Sequence, residues 1–197
     1  MPAENSLTAR YFDDVYRANE DPWQFTTSPY EKAKYEATLA ALPRDRYDTA
    51  FEIGCSIGVL SALLAPRCGQ LLAVDASELP LQQARERLKS FPQATVRRMQ
   101  LPDEFPDQSF ALILLSEVGY YFNRADLAVV RARLIDHLQP GGHLVLVHWT
   151  PAVHDYPLTG DAVHDFFLEE ARPDRPLRHL NGGRADTYRL DVFEKTA

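Results

Sequence analysis

The segment Ala50-Phe51-Glu52-Ile53-Gly54-Cys55-Ser56-Ile57-Gly58 passes from an apolar run into two glycines spaced four apart, and a second apolar stretch, Val59 to Ala65, follows. The first run predicts a short buried strand over 50–53, the glycines a sharp turn, and the second stretch a helix. Small residues at such a turn let the backbone bend and let a ligand approach closely. Open α/β sheets bind ligands outside the carboxyl ends of their strands, where this turn falls.

The same alternation continues downstream. Leu71-Leu72-Ala73-Val74 reads as a strand ending at Asp75, Ser77 as the cap of a helix through Leu88, and Thr95 to Met99 as a weaker strand. Phe110 to Leu115 is a strongly apolar strand. Residues 124–138 form an amphipathic helix with Leu127, Val130, Leu134, Ile135 and Leu138 on one side. Pro140-Gly141-Gly142 then turns into the strand His143 to Val147. Continuous apolar strands alternating with helices predict a parallel sheet covered on both faces. The tail differs. A helix over 160–171 is followed by two strands, 177–181 and 188–193, joined by a turn at Gly182-Gly183, which predicts an antiparallel strand at the end of the sheet.

Upstream, residues 6–18 carry Leu7, Tyr11, Phe12, Val15 and Tyr16 at helical spacing. Glu20-Asp21-Pro22-Trp23 is a turn-rich break. Ser28-Pro29-Tyr30-Glu31 starts a second helix, with Ser28 as cap, Pro29 at the first position and Glu31 where a capping box wants it; that helix runs to Leu42 and stops at Pro43. One domain of 197 residues is expected, divided into a helical cap (1–45), a ligand-binding core (46–150) and a C-terminal helix with a strand pair (151–197).

Composition narrows the function. A net charge of −7 leaves no broad basic face for nucleic-acid phosphates. No stretch approaches the apolar length of a membrane span. Met1 to Arg10 lack a cationic start followed by an apolar run, so no secretory leader is expected. Two cysteines, Cys55 and Cys68, make no disulfide framework, and a reduced cytoplasmic setting is expected.

Three readings of the glycine turn compete. A nicotinamide fingerprint needs G-x-G-x-x-G, and the spacing fails because Ser56 stands between Gly54 and Gly58. Gly54-Cys55-Ser56-Ile57-Gly58 is formally G-x-S-x-G, the nucleophile elbow of a serine hydrolase, with Asp126 or Asp155 and His164 in the right chain order. No glycine precedes Gly54, however, to supply the usual oxyanion loop. The third reading uses more residues. Glu52 opens the turn, and Asp75 ends the next strand about twenty residues on, where a carboxylate accepts both ribose hydroxyls. With Glu117 they form a negative rim suited to a cationic cofactor.

On these residues the chain resembles the class I S-adenosylmethionine-dependent methyltransferases, from Tyr47 to the end. The likeness rests on Phe51 to Gly58, Leu72-Ala73-Val74-Asp75, Leu115-Ser116-Glu117-Val118-Gly119-Tyr120-Tyr121 and Leu138 to Leu144. Asp21-Pro22-Trp23 and Tyr30-Glu31-Lys32-Ala33-Lys34-Tyr35 are similar more narrowly to the nodulation-protein S group, which methylates deacetylated amino sugars of chitooligosaccharides. The resemblance implies a doubly wound, mostly parallel, Rossmann-like α/β sheet with an antiparallel C-terminal strand and N-terminal capping helices. It implies S-adenosylmethionine as cofactor and a small-molecule acceptor such as an amino sugar, with no nucleic acid, no membrane and a monomer or homodimer.

The expected cofactor contacts are Glu52, Gly54, Cys55, Ser56, Gly58, Asp75, Ala76 and Ser77, together with Met99, Gln100 and Leu101 around the adenine. Ser56 replaces the family's middle glycine, and Met99-Gln100-Leu101 stands where many relatives carry an aspartate. Leu115, Ser116 and Glu117 are expected to face the amino-acid part of the cofactor. Trp23, Tyr30 and Lys34 either form a lid over it, with Lys34 or Lys32 reaching its carboxylate, or Trp23 is a packing staple and Lys34 a solvated charge. Tyr120 and Tyr121 line the methyl-transfer channel or belong to the core. Among the histidines, His148 and then His164 are the candidate bases, with Tyr120 beside them. His148, His154 and His164 have no metal-ligand spacing, so no metal is expected.

Overall fold

In the computed structural model, which describes residues 5–196, strands and helices alternate as the sequence predicts. Met1–Glu4, part of the leader reading, lie outside the described residues. The strands are β1 (Tyr47–Ile53), β2 (Cys68–Asp75), β3 (Ala94–Arg98), β4 (Phe110–Ser116), β5 (Leu138–Trp149), β6 (Leu177–Arg184) and β7 (Tyr188–Lys195). The helices are α1 (Ala9–Ala18), α2 (Pro29–Ala40), α3 (Val59–Leu64), α4 (Leu81–Leu88), α5 (Arg124–His137) and α6 (Gly160–Leu168). Strand order is β3-β2-β1-β4-β5-β7-β6. β1, β2 and β3 pair in parallel, as do β4 and β5. β7 runs antiparallel to β5 and to β6, so it is the one reversed strand, and β6 lies outside it. No described helix is long and apolar enough to cross a membrane. The chain gathers into two compact units, Thr8–Gln100 and the part from Leu101 onward with the segment leading into Leu7.

In the first unit, Ser28 caps α2 by accepting the Glu31 N–H at 3.3 Å, with Pro29 at the first helical position. The glycine turn joins β1 to α3. Its Gly54 and Cys55 N–H groups both donate to the Val74 carbonyl, at 2.8 and 2.9 Å, which ties the turn to β2. Gly54, Ser56 and Gly58 have φ of 80°, 50° and 78°, a left-handed conformation that only glycine adopts without strain. Gly58 is needed twice over, because a Cβ there would lie 2.9 Å from the Ala84 Cα of α4. Gly58→Ala is therefore expected to destabilise the fold by about 2 kcal/mol. Urea unfolding reads this directly; an unshifted midpoint would mean that α4 simply yields. α4 starts at Leu81, later than the predicted cap at Ser77, because Ser77 is held by Asp75 and Asp13 instead.

In the second unit, β4 (FALILLS) is buried along its whole length, as an interior strand requires. Asn123 caps α5 through the Asp126 N–H at 2.9 Å, and Leu127, Val130, Leu134 and Ile135 form its buried stripe. Two turns lie elsewhere than the sequence predicts. Pro140-Gly141-Gly142 is an irregularity inside β5, whose pairing with β4 starts at Leu138 and resumes at His143. Gly182-Gly183 belongs to β6, and the chain reverses at 185–187, where Ala185 N–H donates to the Tyr188 carbonyl. Gly182 is small for a packing reason. A Cβ there would lie 2.3 Å from Oδ1 of Asp191, its partner across the strand pair.

Candidate functional site

The first unit carries one cluster at the carboxyl ends of β1 and β2. Asp75, the last residue of β2, is 9% exposed. Its Oδ2 accepts the Ser56 N–H at 3.0 Å and its Oδ1 the Ser77 N–H at 2.9 Å. The carboxylate is thus aimed by the turn and by the loop after β2, where the Ala76 N–H adds a third donor to it. Burial pushes its pKa up to about 6, against the pull of these N–H bonds. Ala76 lies between Asp75 and Ser77 and is half-buried. Met99 N–H donates to the Asp75 carbonyl at 2.9 Å, which brings Met99 and Gln100 to the same strand end.

Two residues of α1 close on this cluster, and sequence reasoning did not single them out as site residues. Tyr16 donates its hydroxyl to Ser56 Oγ at 2.6 Å, and Ser77 Oγ donates to Asp13 Oδ1 at 2.6 Å. In the sequence Tyr16 stands only as one residue of the helical spacing of α1. Burial and the nearby Asp75 charge hold its phenol well above the usual range, so it remains a donor. Trp23 packs edge-on against Tyr16 with ring centres 5.7 Å apart and stacks on Phe25 at 5.5 Å. Asp21 fixes this bend by accepting the Phe25 and Thr26 N–H groups at 2.7 and 3.0 Å.

Several expectations change here. Lys34 is not a solvated charge; it is 2% exposed, pairs with Glu31 at 3.0 Å and lies over the Tyr30 ring at 5.2 Å. Lys32 is the solvated one, 77% exposed along its side chain. Glu52 is less negative than the sequence implies, because burial raises its pKa to about 7. Glu52 Oε2 is buried without a hydrogen-bond partner. Burial also lifts the Cys55 thiol well above its usual range, so Cys55 contributes backbone rather than a thiolate.

The second unit carries another cluster at the ends of β4 and β5. Leu115 and Ser116 end β4 and are buried; Leu101, at the start of this unit, is buried as well. Glu117 follows with φ of 58°, a strained conformation for a residue with a side chain. Its N–H donates to the Val147 carbonyl at 2.8 Å. Its Oε2 accepts the Trp149 N–H at 2.9 Å and the Tyr120 hydroxyl. Burial and the Glu117 charge keep the Tyr120 phenol well above its usual pKa, so Tyr120 is a donor and not a base. Tyr120 stacks on Tyr156 at 5.1 Å and meets Tyr121 edge-on at 4.8 Å.

His148 and His164 are fully buried beneath this cluster. His148 Nε2 accepts the Gly119 N–H at 2.9 Å, and His148 Nδ1 lies 3.1 Å from His164 Nε2. His164 Nδ1 lies 2.6 Å from Asp191 Oδ2. Both ring nitrogens of each histidine are engaged, which corrects the expectation that either stands ready as a base. It also leaves the serine-hydrolase arrangement without its histidine, while Ser56 Oγ takes the Tyr16 hydroxyl. Of the acids proposed for that arrangement, Asp155 is exposed and pairs with His154, and Asp126 accepts from Ser6 and belongs to the first turn of α5.

The family model for nodulation protein S (NodS) matches residues 13–186. Nodulation protein S of Sinorhizobium fredii is 30% identical over 132 residues, 65% of this chain and 60% of that protein. The dTDP-3-amino-3,4,6-trideoxy-alpha-D-glucopyranose N,N-dimethyltransferase of Streptomyces venezuelae is 28% identical over 157 residues, 76% of this chain and 65% of that protein. The alignments with curated nodulation protein S sequences span only 55–62% of those proteins' own lengths. The crystal structure of N-methyltransferase NodS from Bradyrhizobium japonicum WM9, in complex with S-adenosyl-L-homocysteine, superposes with a TM-score of 0.80 at 21% identity, over 94% of this chain and 98% of that one. That likeness establishes the Rossmann-like methyltransferase fold. With the family model running over most of its length, this chain belongs to the nodulation protein S family.

Proposed function

We propose that the chain is an S-adenosylmethionine-dependent methyltransferase that methylates the amine of a small molecule, with an amino sugar as the acceptor class. The observation that carries this reading is the buried Asp75 carboxylate, held by the Ser56 and Ser77 N–H groups beside a turn of left-handed residues. A built carboxylate at a strand's carboxyl end fits a ribose. Glu52 Oε2, orphaned and buried next to that turn, fits a cationic ligand group. Bound there, S-adenosylmethionine would supply an electrophilic methyl group on a sulfonium. Gly54 to Gly58, Asp75, Ser77, Met99 and Gln100 would hold it.

Glu117 is assigned to the acceptor. Its carboxylate is fixed from two sides by Tyr120 and the Trp149 N–H, so it can orient an ammonium or amine N–H without choosing a new rotamer. The nitrogen must expose its lone pair, so the amine sheds its proton to solvent before attack. The amino-sugar acceptor is favoured by family membership and by the relative whose name specifies an amino-sugar substrate.

The test is methyl transfer from radiolabelled S-adenosylmethionine to partially deacetylated chitotetraose. Turnover is expected to rise between about pH 6 and pH 9 as the sugar amine deprotonates. A flat profile would argue against an amine nucleophile, and activity on esters lost in Ser56→Ala would restore the hydrolase.

A further inference from the structure

Below the Glu117 cluster lies a buried polar chain that methyl transfer does not require. It starts at Asp191 of β7, a carboxylate inside the buried run Leu190 to Phe193. Asp191 is 2% exposed and accepts from three sides: His164 Nδ1 at 2.6 Å, His179 Nε2 at 2.6 Å and Arg189 Nε at 2.8 Å. Arg189 is held in turn by Asp165 at 2.8 Å and by Asp161, which also takes Arg184. Such a carboxylate stays ionised. Burial alone would raise its pKa, but His164, Arg189 and His179 together bring it below the usual value.

The direction of every proton in the chain follows from its far end. The Gly119 N–H can only donate, so His148 Nε2 accepts and the neutral ring carries its proton on Nδ1. That proton points at His164 Nε2, which therefore accepts and leaves the His164 proton on Nδ1, facing Asp191. Burial pulls the His164 pKa down despite Asp191, in keeping with a neutral ring. One orientation satisfies all four groups.

Gly119 opens the short turn Gly119–Tyr121, and that turn carries Tyr120. A Cβ at Gly119 would lie 2.8 Å from His148 Nε2, so glycine lets the backbone reach the ring. His148 itself precedes Trp149. One imidazole thus fixes both donors to Glu117 Oε2: the Tyr120 hydroxyl through the turn and the Trp149 N–H through the strand end.

We infer that Asp191, His164 and His148 form a tautomer-setting relay that positions Glu117 for the acceptor, so that His148 is a positioning residue and not the base. This rests on the reading of Glu117 as the acceptor's counter-charge. The relay locks His148 in the one tautomer that can receive the Gly119 N–H.

Two substitutions separate the bonds. In His148→Gln the amide oxygen reaches about as far as Nε2 and keeps an acceptor for Gly119. In His148→Asn the shorter amide reaches His164 and leaves Gly119 without one. Amide hydrogen exchange by NMR is expected to quicken at Gly119 and Tyr121 by about 30-fold or more in His148→Asn and by about threefold or less in His148→Gln. A scalar coupling across the Gly119 N–H···Nε2 bond should appear in the 15N-labelled parent. With partially deacetylated chitotetraose, kcat should fall at least tenfold in the Asn variant and about threefold or less in the Gln variant, at unchanged S-adenosylhomocysteine affinity. Equal losses in both variants, or exchange that merely tracks each thermal midpoint, would overturn the relay. Glu117→Gln is the separate control: if it leaves acceptor KM and kcat alone, the acceptor reading fails, and the exchange contrast still decides the relay.

Discussion

Asp75→Ala is expected to abolish measurable binding of S-adenosylhomocysteine, a loss of at least about 100-fold in calorimetric titration. Two charge-assisted hydrogen bonds to ribose hydroxyls, each worth about 1.5–3 kcal/mol, exceed the roughly 2.7 kcal/mol that such a factor needs. A second effect adds to the first. Without the carboxylate, the Ser56 and Ser77 N–H groups lose their acceptor, and the turn is no longer tied to the loop after β2. Asp75→Asn should bind at an intermediate level, because one amide oxygen can still accept while the amide nitrogen faces an N–H donor. The parent should also weaken in acid. Its folded-state pKa of about 6 means that protonation competes with ligand there, so affinity declines by up to about tenfold per unit below that pH. Parent-like affinity in Asp75→Ala would remove the cofactor reading altogether.

Much of the fold could be read from the sequence because apolar runs and their breaks are local. The glycine turn, β2 ending at Asp75, and the wholly buried β4 all follow from side chains that neighbour one another in the chain. What could not be read depends on partners distant in sequence. Tyr16 looks like one more apolar residue on α1 until its hydroxyl is seen 40 residues away on Ser56. Lys34 is the exception: it looks solvated because lysine usually is, yet it is buried with a partner only three residues back on the same helix, Glu31. Gly182-Gly183 carries the strongest turn signal in the tail, but Gly182 is small to make room for Asp191. A signal for the relay was present. An aspartate inside the apolar strand Leu190-Asp191-Val192-Phe193 demands buried donors, and a neutral histidine, which donates from one ring nitrogen and accepts at the other, can meet that demand and pass it on.

Glu52→Gln is the second large effect, and it concerns stability. Glu52 is 2% exposed, its Oε2 has no partner, and the nearby Ser61 hydroxyl pulls its pKa down less than burial pushes it up. Burial therefore dominates and moves the pKa from the ordinary 4.5 to about 7. The fold holds this proton more tightly than the unfolded chain does. The stability it contributes is complete below pH 4.5 and is lost as the pH rises to about 7, after which the loss levels off. That range corresponds to about 3 kcal/mol. Glutamine has no charge to bury, so the variant should match the parent near pH 4.5 and exceed it at pH 8 by roughly 6–10 °C in thermal midpoint. Parallel curves for the two proteins would show that Glu52 is solvated or paired and would refute the point. A carboxyl that destabilises the empty fold at working pH is explained by a cation that it meets when the site is filled. Cofactor binding to the parent at neutral pH should then release a proton, visible as a dependence of binding heat on buffer ionisation enthalpy, whereas Glu52→Gln should lose both that proton and part of the affinity while gaining stability.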